Sequence, residues 1–180
     1  NRFAASTSFG KNRLIYYMGG IDNWWFAEFN EEINVDTTIN YTYQTLATNM
    51  RGFTQNIRNG TSFFVLNSEL RFSIIRFLVK KPLKNDFLNS FQVVAFGDIG
   101  TAWTGLTPYS EDNSLFKRII VAGPSMKITL NNQIEPIVGG FGLGLRFMAL
   151  GYFLRLDYAW GVENYKVNKG IFYISLNLDF

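Results

Sequence analysis

The chain has 180 residues, of which 47% are hydrophobic and 17% aromatic, and its formal net charge is +3. It contains no cysteine and no histidine, so it lacks the side chains of a disulfide framework, a thiol-based redox or metal site and the commonest general base. A charge this small gives no electrostatic basis for binding nucleic acid. We accordingly expect no catalytic site, no bound metal, no cofactor and no nucleic-acid partner.

Seven stretches of the chain alternate large apolar residues with polar or small ones, which is the period of a β-strand with two unlike faces. They lie at 1–9, 12–19, 62–75, 90–103, 138–149, 151–161 and 170–180. Most have about the 9–11 residues that a tilted strand needs to cross a membrane, whereas the apolar runs are far shorter than a transmembrane helix. The sequence therefore predicts an all-β chain with six or seven antiparallel strands.

Charges are confined to one face of these predicted strands. In 62–75 the apolar face carries Phe64, Leu66, Leu70, Phe72 and Ile74, and the polar face carries Asn67, Glu69, Arg71 and Ser73. In 138–149 aromatic and aliphatic residues alternate with Gly140, Gly142, Gly144 and Arg146. An ionised Arg or Lys facing lipid at the midplane costs about 2–4 kcal/mol. The division of the faces therefore indicates strands with one side toward lipid.

The last predicted strand shows the strictest alternation. It begins at Gly170, and its apolar positions are Phe172, Ile174, Leu176, Leu178 and Phe180. Soluble proteins avoid such an edge strand because it promotes aggregation. A strand paired into a closed barrel in lipid has no free edge, so this stretch favours a transmembrane β-barrel.

The connections between the predicted strands alternate in length. The turns at 10–12 and 150–151 are tight, whereas 20–61 and 104–137 are long, and outer-membrane barrels have short periplasmic turns and long outer loops. We expect 20–61, 104–137 and 161–169 on the outer side. The segment 76–89 is long for a periplasmic turn, and its Lys80, Lys81 and Lys84 are interpreted as a solvated charge run, with contacts to anionic headgroups as the alternative.

Seven strands are too few for a complete barrel. Natural single-chain barrels have at least eight strands, and an open sheet would leave two unpaired edges in lipid. No signal peptide is visible at the start of the chain. We therefore expect residues 1–180 to be the C-terminal part of a single barrel domain. The N-terminal strands and any periplasmic domains would lie outside this sequence, or another chain would complete the barrel.

Four short motifs occur in order before the aromatic C-terminal strand. They are Tyr17-Met-Gly-Gly20, Met50-Arg-Gly-Phe53, Leu66-Asn-Ser-Glu-Leu-Arg-Phe72 and Phe96-Gly-Asp-Ile-Gly-Thr-Ala-Trp103. In this order they resemble the C-terminal half of the BamA/TamA superfamily, the bacterial surface antigen barrels, over essentially the whole chain. The stretch 151–161 is similar to versions from Bacteroidetes. The resemblance implies an outer-membrane barrel of about 16 strands when complete, with a long loop folded into the lumen.

The resemblance also implies a docking site for that loop. Arg51 would be the docking guanidinium, Gly52 and Phe53 would shape the tip, and Glu69 and Asp98 would accept hydrogen bonds from the guanidinium. The alternation independently places both carboxylates on the polar face, and an arginine fork held by two carboxylates is geometrically specific. Two alternatives stay open. The carboxylates could be a catalytic acid pair, although no nucleophile accompanies them, or luminal polar residues without a loop partner.

Two other features have simple interpretations. The run Gly140-Phe-Gly-Leu-Gly144 lacks the spacing and the following helix of a nucleotide-binding loop, so small residues facing the lumen are favoured. Trp24, Trp25, Trp103 and Trp160 lie near predicted strand ends or loops, which is typical of an interfacial girdle. Stacking of a ligand on Trp24 and Trp25 is the alternative.

The resemblance implies a non-enzymatic function, assisting the folding and insertion, or the translocation, of other outer-membrane proteins. The expected partners are the lipid bilayer and client outer-membrane proteins. The last strand would be both the gate strand, whose edge templates client strands by β-augmentation, and the C-terminal assembly signal; Gly170 would weaken pairing at its start. A passive pore or secretion channel is the main alternative, and a partial barrel acting as a scaffold in a larger membrane complex is another.

Overall fold

A computed structural model of the chain describes residues 1–36, 39–74, 90–111, 113–121, 127–131, 134–149 and 151–177. These residues form twelve β-strands and one short 3-10 helix, Ser114–Phe116. The strands are β1 (Arg2–Thr7), β2 (Arg13–Met18), β3 (Tyr41–Leu46), β4 (Arg58–Gly60), β5 (Ser62–Phe72), β6 (Gln92–Trp103), β7 (Lys117–Val121), β8 (Lys127–Asn131), β9 (Val138–Ala149), β10 (Tyr152–Glu163), β11 (Lys166–Val167) and β12 (Ile171–Asn177). In this part of the chain no helix is both long and apolar enough to span a membrane.

The main sheet is antiparallel and contains seven strands. Its order is β1-β5-β6-β9-β10, and both β12 and the short β11 pair with the far side of β10. Six of the seven predicted stretches correspond to its long strands, which confirms the all-β class. Within the described residues β1 and β12 do not pair with each other, so this sheet has two edges.

The stretch 12–19 is a strand, but the prediction that it belongs to the same sheet is wrong. Strand β2 lies between β3, which runs parallel to it, and β4, which runs antiparallel, in a separate three-stranded sheet. Its side chains explain the difference, because Ile15 and Met18 are fully buried and Tyr16 and Tyr17 are nearly so. A strand that is covered on both faces fits a layer inside the protein, whereas the strands of the main sheet each have one exposed face.

The two faces of the main sheet have opposite character. One face, which we call the loop-covered face, packs against β2 and the long loop (residues 20–61), and it buries Asn67, Asp98, Arg146, Asp157 and Ser175. The opposite face, which we call the open face, exposes the large apolar side chains Phe3, Leu66, Leu70, Phe72, Ile99, Phe141, Leu143, Tyr152, Tyr158 and Phe172. A soluble protein normally shows the reverse distribution.

The buried core lies between the small sheet and the loop-covered face. One cluster joins Tyr16 and Met18 of β2 and the loop residues Met50 and Phe53 to Phe63 and Val65 of β5, among others. A second cluster joins Ile21 and Trp24 of the loop to Val94, Phe96, Ala159 and Tyr173 of the main sheet. The long loop is therefore part of the hydrophobic core.

The long connections all lie at one end of the main sheet. At this end β1, β6 and β10 end, and β5, β9 and β12 begin. Residues 8–61, 104–137 and 164–170 begin and finish at that end. The turn at 10–12, expected at the opposite end, lies here too, because the chain reverses at Gly10 (φ +100°) to enter the small sheet. The predictions for 76–89, including Lys80, Lys81 and Lys84, fall on residues 75–89, which lie outside the described residues.

Candidate functional site

The tip of the long loop is held on the main sheet by Arg51. Its Nε donates to Asp98 Oδ2 at 2.7 Å, its Nη2 to Asp98 Oδ1 at 2.6 Å and its Nη1 to Glu69 Oε1 at 2.5 Å. The backbone N–H of Arg51 donates to the same Asp98 Oδ2 at 3.2 Å. The structure therefore brings the three charged residues of the predicted docking site into contact.

Strand pairing places the two acceptors side by side. In the β5–β6 ladder Glu69 lies opposite Phe96, and Asp98 lies two residues further along β6 on the same face. The Phe96 ring lies under the guanidinium, with its centroid 3.7 Å from the Arg51 Cζ, which is cation–π geometry. Two carboxylates and one aromatic face thus surround a single buried cation.

The charge of Arg51 is well compensated although the residue is only 1% exposed. Burial acts to lower the pKa of its guanidinium, but hydrogen bonding and charge from Asp98 and then Glu69 outweigh burial, and the pKa is raised. Removing either side of such a buried pair leaves an uncompensated charge in a low-dielectric site. The contact is therefore expected to hold the loop strongly.

Gly52 and Phe53 pack the tip against β10 and β12. Gly52 has a φ of +94°, and a Cβ there would lie 2.5 Å from the backbone nitrogen of Gly161. The Gly52 N–H donates to Tyr173 Oη at 2.9 Å, and this hydroxyl donates to the Phe53 carbonyl at 2.8 Å. Only glycine satisfies both the left-handed backbone and this close approach.

The glycines of β9 make room on the loop-covered face. A Cβ at Gly140 would collide with the Arg51 carbonyl oxygen, and one at Gly144 would collide with the Asp157 carboxylate. At Gly140 the space that a side chain would need is therefore taken by the tip of the loop.

The Arg51 site continues into a network of alternating charges. Glu69 Oε2 accepts from Arg71 Nε at 2.9 Å, and Glu69 Oε1 lies 3.7 Å from Arg146 Nη2. Arg146 donates to both oxygens of Asp157, at 2.5 and 3.1 Å, and Arg155 Nη2 lies 3.5 Å from the same carboxylate. Four arginines thus share three carboxylates, so the network carries a net positive charge.

An open cavity of about 440 Å³ lies beside this network. Its described walls include five arginines and a single carboxylate, that of Glu69; the arginines are Arg2, Arg51, Arg71, Arg146 and Arg155. Arg155 Nε is buried and has no hydrogen-bond partner among the described residues. The cavity therefore presents positive charge and unused donor capacity.

Another buried arginine, Arg58 of β4, fixes the other end of the long loop. Its Nη1 donates to Glu163 Oε1 at 2.7 Å, and its Nη2 and Nε donate to the carbonyls of Glu135 and Pro136 at 2.7 and 3.2 Å. Burial lowers the pKa of Arg58, although the charge of Glu163 opposes the shift. No motif marked Arg58, because its partners lie far away in sequence.

The residues predicted for the gate strand lie at one edge of the main sheet. Phe172 is exposed on the open face, and Ile174 and Leu176 share that face by the alternation of β12. Gly170 lies just before β12, and a Cβ there would approach Tyr158 Oη to 2.5 Å, so a larger residue would require the tyrosine side chain to move. Leu178 and Phe180 lie outside the described residues.

Sequence reasoning missed two aromatic residues of the site. Tyr173 is fully buried and holds the loop tip through its hydroxyl; its polar-face position in the last strand was the available signal. Trp24, expected in an interfacial girdle, is instead buried against Tyr173, with ring centroids 4.8 Å apart. Its position inside the loop explains the error, since the loop packs into the core.

Comparisons of the chain with protein-family models, with curated proteins and with solved structures found no match. Among the described residues no group of three or more Asp or Glu side chains is placed to hold a metal ion. A functional interpretation must therefore come from the geometry of the sheet and the docked loop.

Proposed function

We propose that this chain is part of an outer-membrane β-barrel that assists the folding and insertion, or the translocation, of other outer-membrane proteins. The observation that carries the proposal is the reversed polarity of the main sheet. Its buried face holds Asp98, Arg146 and Asp157, and its exposed face holds ten large apolar side chains. Such a sheet is stable where the open face meets hydrocarbon and the other face lines a protein interior.

Strand length and burial energetics support a membrane location. Strand β5 has 11 residues and β6, β9 and β10 have 12 each, which suffices for a tilted crossing of roughly 9–11 residues. Burying one large apolar side chain contributes roughly 1.5–3 kcal/mol, so leaving ten of them in water would strongly favour aggregation. In the proposed barrel, strands outside this sequence would continue the wall from the edge of β1, and the edge of β12 would form the seam.

The docked loop favours the insertase class within this architecture. The motif Met50-Arg-Gly-Phe53 lies at a loop tip on the polar face of the sheet, where the resemblance to the BamA/TamA superfamily expects it. The ion pair of Arg51 with Asp98 and Glu69 keeps the loop in place. A client strand would pair with the edge of β12, as in β-augmentation.

Reconstitution tests this proposal. The full chain, placed in lipid vesicles together with any strands that complete the barrel, is mixed with an unfolded outer-membrane protein, and folding of the client is followed by its heat-modifiable migration. We expect faster folding than in empty vesicles. Client folding no faster than in empty vesicles would contradict an insertase.

A passive pore is the second candidate, and the arginine-lined cavity is the observation that favours it. A wide lumen with surplus positive charge conducts anions in preference to cations. Planar-bilayer recordings under a salt gradient would then show steady conductance with an anion-selective reversal potential. Under the insertase proposal, the docked loop keeps steady conductance low.

A further inference from the structure

The outer edge of β12 is occupied by the chain's own long loop. Ser175 has a β-bridge partner on each side, Arg155 in β10 and Trp24 in the loop. The backbone N–H of Trp25 donates to the Ile174 carbonyl at 3.1 Å. The segment around Trp24 and Trp25 therefore extends the main sheet beyond β12 by one short bridge.

Side-chain packing strengthens this contact. The Trp24 ring packs on the Tyr173 ring and is only 9% exposed. The hydroxyl of the same tyrosine accepts from the Gly52 N–H and donates to the Phe53 carbonyl. One residue of the terminal strand thus contacts both the edge-covering segment and the docked tip.

Backbone hydrogen bonds also join the residues just before the edge-covering segment to the tip. The Met50 N–H donates to the Gly20 carbonyl, and the Gly20 N–H donates to the Phe53 carbonyl, both at 3.0 Å. The Asp22 N–H donates to Asn49 Oδ1 at 2.7 Å. Displacing Trp24 and Trp25 from β12 would therefore disturb the position of the tip as well.

We propose that residues 23–25 are a latch that covers the strand-accepting edge of β12 and is displaced when a client strand pairs there. The inference deepens the proposed function and rests on it. Unpaired edge groups accept other strands readily, and the latch protects only the middle of the edge. An incoming strand could pair with the whole of β12, from Ile171 to Asn177, so its longer ladder would displace the single bridge.

The chain contains no cysteine, so an introduced disulfide tests the latch directly. The antiparallel bridge between Trp24 and Ser175 places Trp25 opposite Ile174. Opposed residues of antiparallel strands have Cα atoms about 4.5–5.5 Å apart, which is within the range that a disulfide spans. The test protein carries Trp25→Cys and Ile174→Cys. The matched control carries Trp25→Cys and Phe172→Cys. Phe172 lies on the same face of β12 as Ile174, but it is two residues out of register with Trp25.

Two readouts separate the latch from the proposed function. Mass spectrometry of the oxidised protein measures disulfide yield without any client, and we expect high yield for the 25–174 pair and low yield for the 25–172 pair. Equal yields would overturn the latch whether or not the protein is an insertase. Client folding then tests function: the oxidised 25–174 pair should lose the acceleration, and reduction should restore it.

A locked protein that still accelerates client folding like the wild type would overturn the latch and leave the insertase proposal intact. Conversely, a wild-type protein that gives no acceleration would contradict the insertase proposal, and with it a latch that a client strand displaces. Trp25→Pro supplies a further variant, because proline removes the N–H that donates to Ile174. We expect faster client folding from this variant, and a rate equal to or below that of the wild type would contradict the latch.

Discussion

Arg51 and Asp98 form a buried bidentate ion pair between residues 47 positions apart in the sequence, at 2.7 and 2.6 Å. The guanidinium fork matches both carboxylate oxygens, and a third hydrogen bond, at 2.5 Å, reaches Glu69. This pair fixes the tip of the long loop to the middle of the main sheet. The position of the loop therefore depends on charge and geometry together.

Replacing Arg51 by alanine should destabilise the docked loop. The substitution leaves the buried Asp98 without its cation and removes one of the arginines beside Glu69, and breaking a buried pair of this kind costs about 3–5 kcal/mol. Arg51→Lys should give an intermediate loss, because lysine retains the charge but lacks the fork. The free energy of unfolding in urea measures both effects, and an unchanged value for Arg51→Ala would show that the ion pair does not hold the loop.

Gly52→Ala should also destabilise the protein, for a steric reason. The left-handed backbone and the approach to Gly161 leave no room for a methyl group, and strain at such a position costs about 1–3 kcal/mol. Gly97→Ala is the matched control, because a Cβ there meets nothing within 4 Å. Thermal unfolding should separate the two variants, and an equal effect would contradict the tight packing of the tip.

Tyr173→Phe should weaken the tip by removing one hydroxyl. The Gly52 N–H would lose its acceptor, whereas the Phe53 carbonyl would keep the hydrogen bond from the Gly20 N–H. An unsatisfied buried group costs about 1–3 kcal/mol. Tyr152→Phe, at an exposed position of the open face, should change little. Limited proteolysis of the long loop reports the difference, and equal cleavage of both variants would argue against this anchor.

The alternation of β5, β9 and β10 could be predicted from the sequence because one face of each strand is exposed and the other is buried under the loop. Alternation did not predict the place of β2. Both faces of this strand are covered, and accordingly Leu14 to Met18 is a continuous apolar run. Periodicity reports exposure, and it carries no information about which strand pairs with which.

Contacts between residues of the site could be predicted from the sequence only where a motif, and not the alternation of apolar and polar residues alone, marked the partners. Arg51 lies in a loop motif, and Glu69 and Asp98 lie in strand motifs on the polar face, so the resemblance implied their contact. Arg58 and Glu163 are 105 positions apart, and Tyr173 is 121 positions from Gly52. No local pattern connects residues at such separations, because folding alone brings them together.

The central claim is that the open face of the main sheet meets lipid, and paired arginine substitutions test it most directly. Leu143 is 58% exposed on the open face, and Leu106 is 96% exposed in the segment after β6. Arginine at a lipid-facing midplane position costs about 2–4 kcal/mol, whereas arginine on a water-exposed surface costs little. The measured quantity is the amount of membrane-inserted protein, detected by its heat-modifiable migration, for Leu143→Arg and for Leu106→Arg. We predict a marked loss for Leu143→Arg alone, and equal tolerance of both substitutions would contradict a lipid-facing sheet.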